Sequence, residues 1–466
     1  MTDTIARPRP KITYATLRAD NEDLHAAFEE AVARVTASLG GHHRNYVDGA
    51  WRDGEGTFEL RTPIDTDIVL GTFARGSAQD VDDAVRAARA AQPAWAAMPW
   101  RDRLALLRHA AELISERLMD ESALMAYEVG KNRIEALGEV EESADLLRYY
   151  AQTMEDNAGY DHPMGNLGDA AVHTRSVLRP HGVFAVVSPF NFPMALAAGP
   201  TSAALMAGNT VVFKPSSAAP LSAIKLMEAY IDAGLPRGTI NLVMGSGETV
   251  GQALQDHPGI DGIVFTGSYD VGMRLFHSFS NQWPRPCIVE MGGKNPAVVT
   301  RKADLDEAAE GIMRSAFGFG GQKCSANSRV YVERPVHDEL VRLLADKTAQ
   351  LRIGNPLLRE TFVGPIINAK AVERHQQAVA EARRDGAVFV GGNRLTDGDL
   401  ARGFYVEPAV VGNLPADHRL FRDELFAPLT AVHAVDSLDE AIALSNQTVY
   451  GLTAGVYSED PAEVQR

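Results

Sequence analysis

Apolar positions recur every three or four residues over residues 21–39, which predicts one amphipathic helix inside an otherwise polar N-terminal stretch, residues 1–45. The period then shortens. Runs reading YVDGAW, FELRTP and VLGTFA up to Ala74 behave as short strands, and the Asp48-Gly49 pair marks a hairpin. Helical spacing returns three times: after Ser77, where Ser77 or Asp80 suits the N-cap, then over 101–120 and over 134–154. The charged faces of the last two read as solvated surfaces. Residues 160–168 are rich in turn formers and 171–178 alternate as a strand; short exposed ribbons of this kind often pair with another subunit.

From Gly182 onward, β-rich runs alternate with helical ones. Strands are predicted at 183–187, 210–214, 240–244, 263–266 and 287–290, with helices at 193–207, at 221–233, at the GSGETVG turn and from Tyr269. That alternation predicts an α/β fold with a parallel, doubly wound sheet. A second α/β unit starts with a strand at 296–300. It continues with a strand at 329–332, helices at 335–351 and 369–385, strands at 387–390, around Tyr405 and around Thr430, and a helix at 438–446. Near the end, Ser458-Glu459-Asp460-Pro461 announces one more helix, with five residues following it.

Composition narrows the function classes. A net charge of −16 argues against a sequence-independent grip on nucleic acid or on an anionic membrane. The longest apolar stretch, 182–208, is broken by Pro189, Asn191, Pro193 and the Gly199-Pro200 pair, so a buried strand and helix fit it better than a membrane span. The first residues carry no apolar signal core. Two cysteines make no disulfide framework, and no Cys/His spacing suggests a metal; a reducing, cytoplasmic location is expected.

Candidate chemistry gathers at the ends of predicted strands. In SAFGFGGQKCSANSRVYV, residues 315–332, three glycines precede Cys324 at a helix-to-strand turn. A thiol presented there is a candidate nucleophile; the position also suits a small buried apolar residue. Gly245-Ser246-Gly247 with Gly251 follows a strand and resembles a dinucleotide turn, although its spacing is GxGxxxG; an ordinary strand–helix turn explains it equally. Phe265-Thr266-Gly267-Ser268 offers backbone N–H groups and a hydroxyl to a phosphate. Lys214 ends a strand, where open α/β sheets bind ligands, or is a surface lysine. Glu290, in an otherwise apolar strand, either pairs with something or acts as a base. Asn191, among prolines and phenylalanines, suits an oxyanion or ties its own loop.

Taken in order, SPFNFP at 188–193, KPSS at 214–217, FTGS at 265–268, EMGGKNP at 290–296, GQKCS at 321–325 and DELFAP at 423–428 form a specific set. The set resembles the NAD(P)-dependent aldehyde dehydrogenase superfamily from about Tyr46 onward. Within it, EVGKNRIEALGEVEESADLLRYYAQTM and FGFGGQKCSANSRVYV are similar to the 1-pyrroline-5-carboxylate (glutamate γ-semialdehyde) dehydrogenase branch. The resemblance implies a Rossmann-like NAD(P)-binding domain over 1–152 and 181–291, with 1–45 as an extension. It implies a β-ribbon oligomerisation element over 153–180 and a catalytic domain over 292–466. A homo-oligomer, dimeric or higher, is expected.

The resemblance also implies roles. Cys324 matches the nucleophile, Asn191 the oxyanion donor and Glu290 the base that activates water. NAD would contact Ser188, Pro189, Phe190, Lys214, Ser217, Gly247, Gly251, Ser268, Met291, Glu424 and Phe426. Ser325 matches a hydroxyl that holds the substrate carboxylate, while Phe190, Phe192, Phe317 and Phe319 would line its aliphatic part, each being more readily explained as core. No metal is expected. Ser217 stands where NAD-preferring members commonly carry Glu, which leaves NADP open, and Ala427 replaces a usual Gly. Members of the family continue past the position of Arg466 with a substrate-anchoring loop and an intersubunit strand, so the catalytic domain is expected to be incomplete here, poorly active and prone to aggregate. The alternatives are a dehydrogenase of another semialdehyde or of an aromatic aldehyde, and a non-catalytic binding protein of the same fold.

Overall fold

The structure, a computed structural model, describes residues 21–466. Part of the N-terminal extension expected over 1–45 therefore lies outside the described residues. Asn21 caps the helix Glu22–Ser38 by accepting the Leu24 N–H, and Leu24, Phe28, Ala31 and Val35 form its buried stripe. The hairpin forms where expected. Strands Asn45–Val47 and Ala50–Arg52 pair through Asp48 (φ 52°) and Gly49 (φ 80°), two left-handed residues as a tight right-twisted hairpin requires. Ser77 opens the helix Ala78–Ala97 in a capping box with Asp80.

The stretch 101–154 departs from its expected form. Helix Trp100–Glu116 stops at Arg117, and a separate helix, Leu118–Val129, runs to Gly130 at φ 79°. That helix is buried around most of its circumference, so it carries no amphipathic stripe from which to be read. The charged faces of 101–120 and 134–154, expected to be solvated, are partly interior: Arg103, Glu139 and Glu141 are buried, and so are Glu121, Glu128, Lys131 and Arg133 between the two spans. Helix Arg133–Asp156 leads into a two-stranded ribbon, Asp161–Pro163 with Arg175–Val177, around which Met164, Leu167 and Leu178 are exposed.

Five parallel strands make the centre of a seven-stranded sheet. Their spatial order is Cys287–Glu290, Gly262–Thr266, Val183–Val187, Thr210–Lys214, Ile240–Leu242, and the N-terminal hairpin adds the last two strands antiparallel. Chain direction across the sheet reverses between Val183–Val187 and Gly262–Thr266. At such a switch point the two following loops diverge to opposite faces and leave a crevice beyond the carboxyl ends of the strands. A second sheet of six strands runs Ala387–Val390, Ala409–Gly412, Leu429–Val435, Asn327–Glu333, Asn295–Val299, Gly455–Tyr457, parallel except for the first pair.

Some boundaries move for local reasons. The strand expected around Tyr405 lies at Ala409–Gly412, and Tyr405 is instead a buried packing residue. GSGETVG does not start a regular α-helix: a wide turn, Gly247–Gly251, precedes the helix Gln252–Asp256. Pro193 precedes the helix Ala195–Met206 rather than sitting in its first turn. Asp460 caps the final helix, Pro461–Gln465.

Candidate active site

A cavity of about 590 Å³ occupies the crevice at the switch point. The loop after Val183–Val187 contributes Pro189, Phe190 and Asn191. The loop after Gly262–Thr266 contributes Gly267, Ser268 and Tyr269, and the end of Cys287–Glu290 contributes Met291 and Gly292. The second sheet supplies Cys324, Glu424, Leu425 and Phe426 from the facing side. Residues far apart in the chain are thus brought to one wall-to-wall gap between two sheets.

Cys324 follows a turn in which Phe319 (φ 50°), Gly320 (φ 60°) and Gly321 (φ 67°) are consecutively left-handed. Glycine is required at 321, because a Cβ there would lie 2.6 Å from the Ala427 carbonyl oxygen. Buried Gln322 pins the turn: its side-chain oxygen accepts the Ile367 N–H at 2.9 Å and its amide donates to the Phe319 carbonyl at 3.2 Å. Asn295 holds the next residues, donating to the carbonyls of Cys324 at 2.7 Å and Ala326 at 2.9 Å. Gly293 makes this approach feasible, since a side chain there would collide with the Cys324 carbonyl.

Burial pushes the Cys324 thiol above its ordinary range, and the Glu424 and Glu290 carboxylates push the same way. The N–H groups of Ser325 and of Cys324 itself oppose them, which places two backbone donors at the sulfur. Asn191 is 3% exposed, and its carboxamide makes no hydrogen bond to another described residue. The loop-tying explanation is therefore excluded: the amide is buried, open and on the cavity wall. Glu290 differs from its expected setting. Its strand is the edge of the sheet, with Ile288 and Glu290 exposed and Cys287 and Val289 half-buried, so the carboxylate is reachable by water and within electrostatic range of Cys324.

Glu424 is half-buried, its desolvation raises its carboxyl above the usual range, and it accepts the Gly293 N–H at 2.9 Å. Phe426 (φ 53°) meets Phe190 edge-to-face at 5.8 Å. A second group lies deeper along the same sheet edge. Lys214 is 5% exposed, donates to the Pro215 carbonyl at 3.1 Å, and is lowered to about 8 by burial. Its stem passes Gly251, whose added Cβ would meet it at 3.8 Å. Ser217 donates to the Gly245 carbonyl at 2.8 Å, beside the turn containing Gly247. The Ser188 hydroxyl is buried without a partner, and Ser268 precedes the helix Tyr269–Ser278 without capping it through its side chain.

The aromatic residues expected around the substrate separate. Phe190 lines the cavity. Phe317 and Phe319 do not: both are buried in core clusters, Phe317 among Val299, Ile312 and Val330. Phe192 is half-buried against the ammonium of Lys131. Ser325 is exposed, and its carbonyl accepts the Thr453 hydroxyl at 3.3 Å. Residues that sequence reasoning overlooked include Asn295, although it lies inside EMGGKNP, and an ion pair between Lys323 and Glu135, which sets charge next to Cys324. One Glu135 oxygen is buried without a partner. Arg374 also reaches the cavity, with its guanidinium fixed on the Leu425 carbonyl at 2.6 Å.

Comparison with known proteins adds an independent line. The model of the aldehyde dehydrogenase family matches residues 51–466. 1-Pyrroline-5-carboxylate dehydrogenase 1 of Halalkalibacterium halodurans is 36% identical over 446 residues, covering 94% of this chain and 85% of that protein. The 1-pyrroline-5-carboxylate dehydrogenase of a Geobacillus species is 35% identical over 448 residues, with the same 94% and 85% coverage. Among solved structures, a 1-pyrroline-5-carboxylate dehydrogenase from Thermus with bound NAD superimposes with a TM-score of 0.90 at 31% identity, covering 99% of this chain and 89% of that one. With a cysteine and an open carboxamide on the switch-point cavity, and with these matches across nearly its whole length, the chain belongs to the aldehyde dehydrogenase family.

Proposed function

We propose that the protein oxidises L-glutamate γ-semialdehyde, the open form of 1-pyrroline-5-carboxylate, to L-glutamate through a thioester on Cys324, with NAD as cofactor. The observation that carries the chemistry is the meeting of Cys324 and the unpartnered Asn191 amide on one cavity. The substrate rests on the relatives at about 35% identity, which are 1-pyrroline-5-carboxylate dehydrogenases. It also rests on polar groups beside the nucleophile. Ser325 is exposed next to Cys324, and the Lys323–Glu135 ion pair sets charge on its other side.

The residues present fit a dinucleotide. A buried ammonium at Lys214 with one backbone acceptor, an unpartnered buried hydroxyl at Ser188 and a helix start at Ser268 with free N–H groups match ribose hydroxyls and a diphosphate. Pro189, Phe190, Met291, Glu424 and Phe426 would enclose the nicotinamide end, with Gly247 and Gly251 leaving room near Lys214. Ser217 puts no carboxylate against a 2′-phosphate, so NADP is accepted as a poorer alternative. Bound NAD supplies the hydride acceptor, whose action leaves a thioester on Cys324.

The chain's own groups do the rest. The Cys324 sulfur bonds to the aldehyde carbon, and the carbonyl oxygen takes the negative charge. The Asn191 amide and the Cys324 N–H hold that oxygen. After oxidation, Glu290 takes a proton from water as the water oxygen attacks the thioester carbon; the C–S bond breaks and the carboxylic acid leaves. Because the thiol is raised, the attacking thiolate is scarce at neutral pH, so Glu290 is placed to accept the thiol proton as well.

We further infer a division into a dinucleotide-binding part, 1–152 with 181–291, and a catalytic part from 292. The ribbon within 153–180 would join copies into a homo-oligomer through Met164, Leu167 and Leu178. No helix among the described residues is long and apolar enough to cross a membrane, in keeping with a cytoplasmic enzyme. The test is Cys324→Ala: turnover of glutamate γ-semialdehyde is expected to vanish while NAD binding, read by calorimetry, stays within about twofold. Activity near that of the parent overturns the covalent mechanism, and a parent that prefers pentanal overturns the substrate.

A further inference from the structure

Asn191 lies on the loop after Val183–Val187 of one sheet, and Cys324 lies before Asn327–Glu333 of the other, after a turn with three consecutive left-handed residues. Oxyanion stabilisation requires these two loops to hold one separation, because a donor helps only where the charge develops. One buried ion pair touches both loops. Lys131 lies in the short turn between the helices Leu118–Val129 and Arg133–Asp156, is 0% exposed, and gives its ammonium to Glu139. The same ammonium lies 3.5 Å from the ring centroid of Phe192, the neighbour of Asn191. It lies 4.8 Å from the ring of Phe319, in the left-handed turn that leads to Cys324.

Glu139 completes the connection. Its second oxygen accepts the N–H of Met194 at 3.0 Å and of Ala195 at 3.3 Å, where the Asn191 loop passes into the helix Ala195–Met206. The anchor itself is rigid: Gly130 ends its helix at φ 79°, and a Cβ there would lie 2.8 Å from Pro365. A buried ion pair is a poor device for stability, since desolvation offsets much of the attraction. It is a good device for fixing geometry, because the charged hydrogen bond and both ring contacts are directional.

We propose that Lys131 and Glu139 are positioning residues that lock the Asn191 loop against the Cys324 loop and so set the oxyanion contact during acylation. The proposal rests on the thioester reading above. Neither side chain lines the cavity, so both act through Phe192, Phe319 and the Met194 and Ala195 N–H groups.

The test is the double variant Lys131→Met with Glu139→Gln. It removes both charges without stranding one, and the new carboxamide still offers an oxygen to the Met194 N–H. The readout is the pre-steady-state burst of reduced cofactor, whose amplitude counts competent sites and whose rate constant reports acylation at each site. A positioning role lowers the rate constant by about 10²-fold at near-parental amplitude, with KM little changed. A merely structural role lowers amplitude and leaves the rate constant, and that result overturns the proposal. Should the double variant fail to fold, Phe319→Leu keeps the ion pair and removes one ring contact; a slower burst per site supports the clamp, and a parental rate constant overturns it. A parent whose turnover survives Cys324→Ala refutes the thioester reading and the clamp together, whereas a parent that needs Cys324 but whose clamp variants burst at the parental rate constant refutes the clamp alone.

Discussion

Replacing Asn191 by alanine should separate catalysis from stability. The carboxamide is buried at 3% exposure, yet it hydrogen-bonds to no described residue, so its removal breaks no bond in the resting fold and strands no partner. The cost to folding is then confined to a few lost packing contacts, about 0.5–1 kcal/mol. In the proposed mechanism the amide is one of two donors to the developing oxyanion, the other being the Cys324 N–H. Loss of one such donor costs about 10²–10³-fold in rate, or roughly 2.7–4 kcal/mol. The whole deficit should fall on acylation. Stopped-flow measurement of the burst gives the rate constant, and calorimetric unfolding gives the stability. A burst within threefold of the parent would refute the oxyanion role. A large loss of thermal stability with a proportionate loss of active sites would show instead that Asn191 holds its loop.

Glu290→Gln should leave the burst in place and slow steady-state turnover by about 10²–10⁴-fold, because general-base loss falls on hydrolysis of the thioester; loss of the burst itself would show that the exposed carboxylate serves mainly to deprotonate Cys324. Ser217→Glu should shift the NAD/NADP ratio of kcat/KM toward NAD by placing a carboxylate against a 2′-phosphate, and an unmoved ratio would rule that geometry out. Glu121 is buried with both oxygens unpartnered, and burial raises it from 4.5 to about 8. The folded protein therefore holds a proton there that the unfolded chain has already released. From about pH 5 to 8 this group should lower stability as pH rises, by about 1.4 kcal/mol per pH unit. Glu121→Gln should flatten that slope in urea melts run across the window; an unchanged slope would mean that another group carries the proton.

Much of the fold was legible from residues acting over short range. The hairpin at Asp48-Gly49 needs two left-handed residues, the helix after Ser77 needs a cap, and Thr210–Lys214 and Cys287–Glu290 are β-rich runs ended by turn formers. The order of the motifs pointed to the candidate site too, since Cys324 and Asn191 sit in turns that glycine and proline announce and Glu290 ends a strand just before Gly292-Gly293. What could not be read locally is burial. Helix Leu118–Val129 is buried around most of its circumference, so its period is invisible, and Arg103, Glu139 and Glu141 read as surface charge although the neighbouring helices enclose them.

By itself, the sequence determined the strand–helix alternation and which side chains are candidates for the chemistry, because φ/ψ preference, capping and side-chain chemistry are properties of a few consecutive residues. The tertiary structure alone decided which side chains face the cavity. Phe190 reaches it while Phe317 and Phe319 are core, Glu290 stands exposed on an edge strand, and the Asn191 amide is left without a partner. Each of those outcomes depends on which element packs against which, and the contacts responsible join residues more than a hundred positions apart, such as Cys324 and Asn191 on opposite sides of one crevice between two sheets.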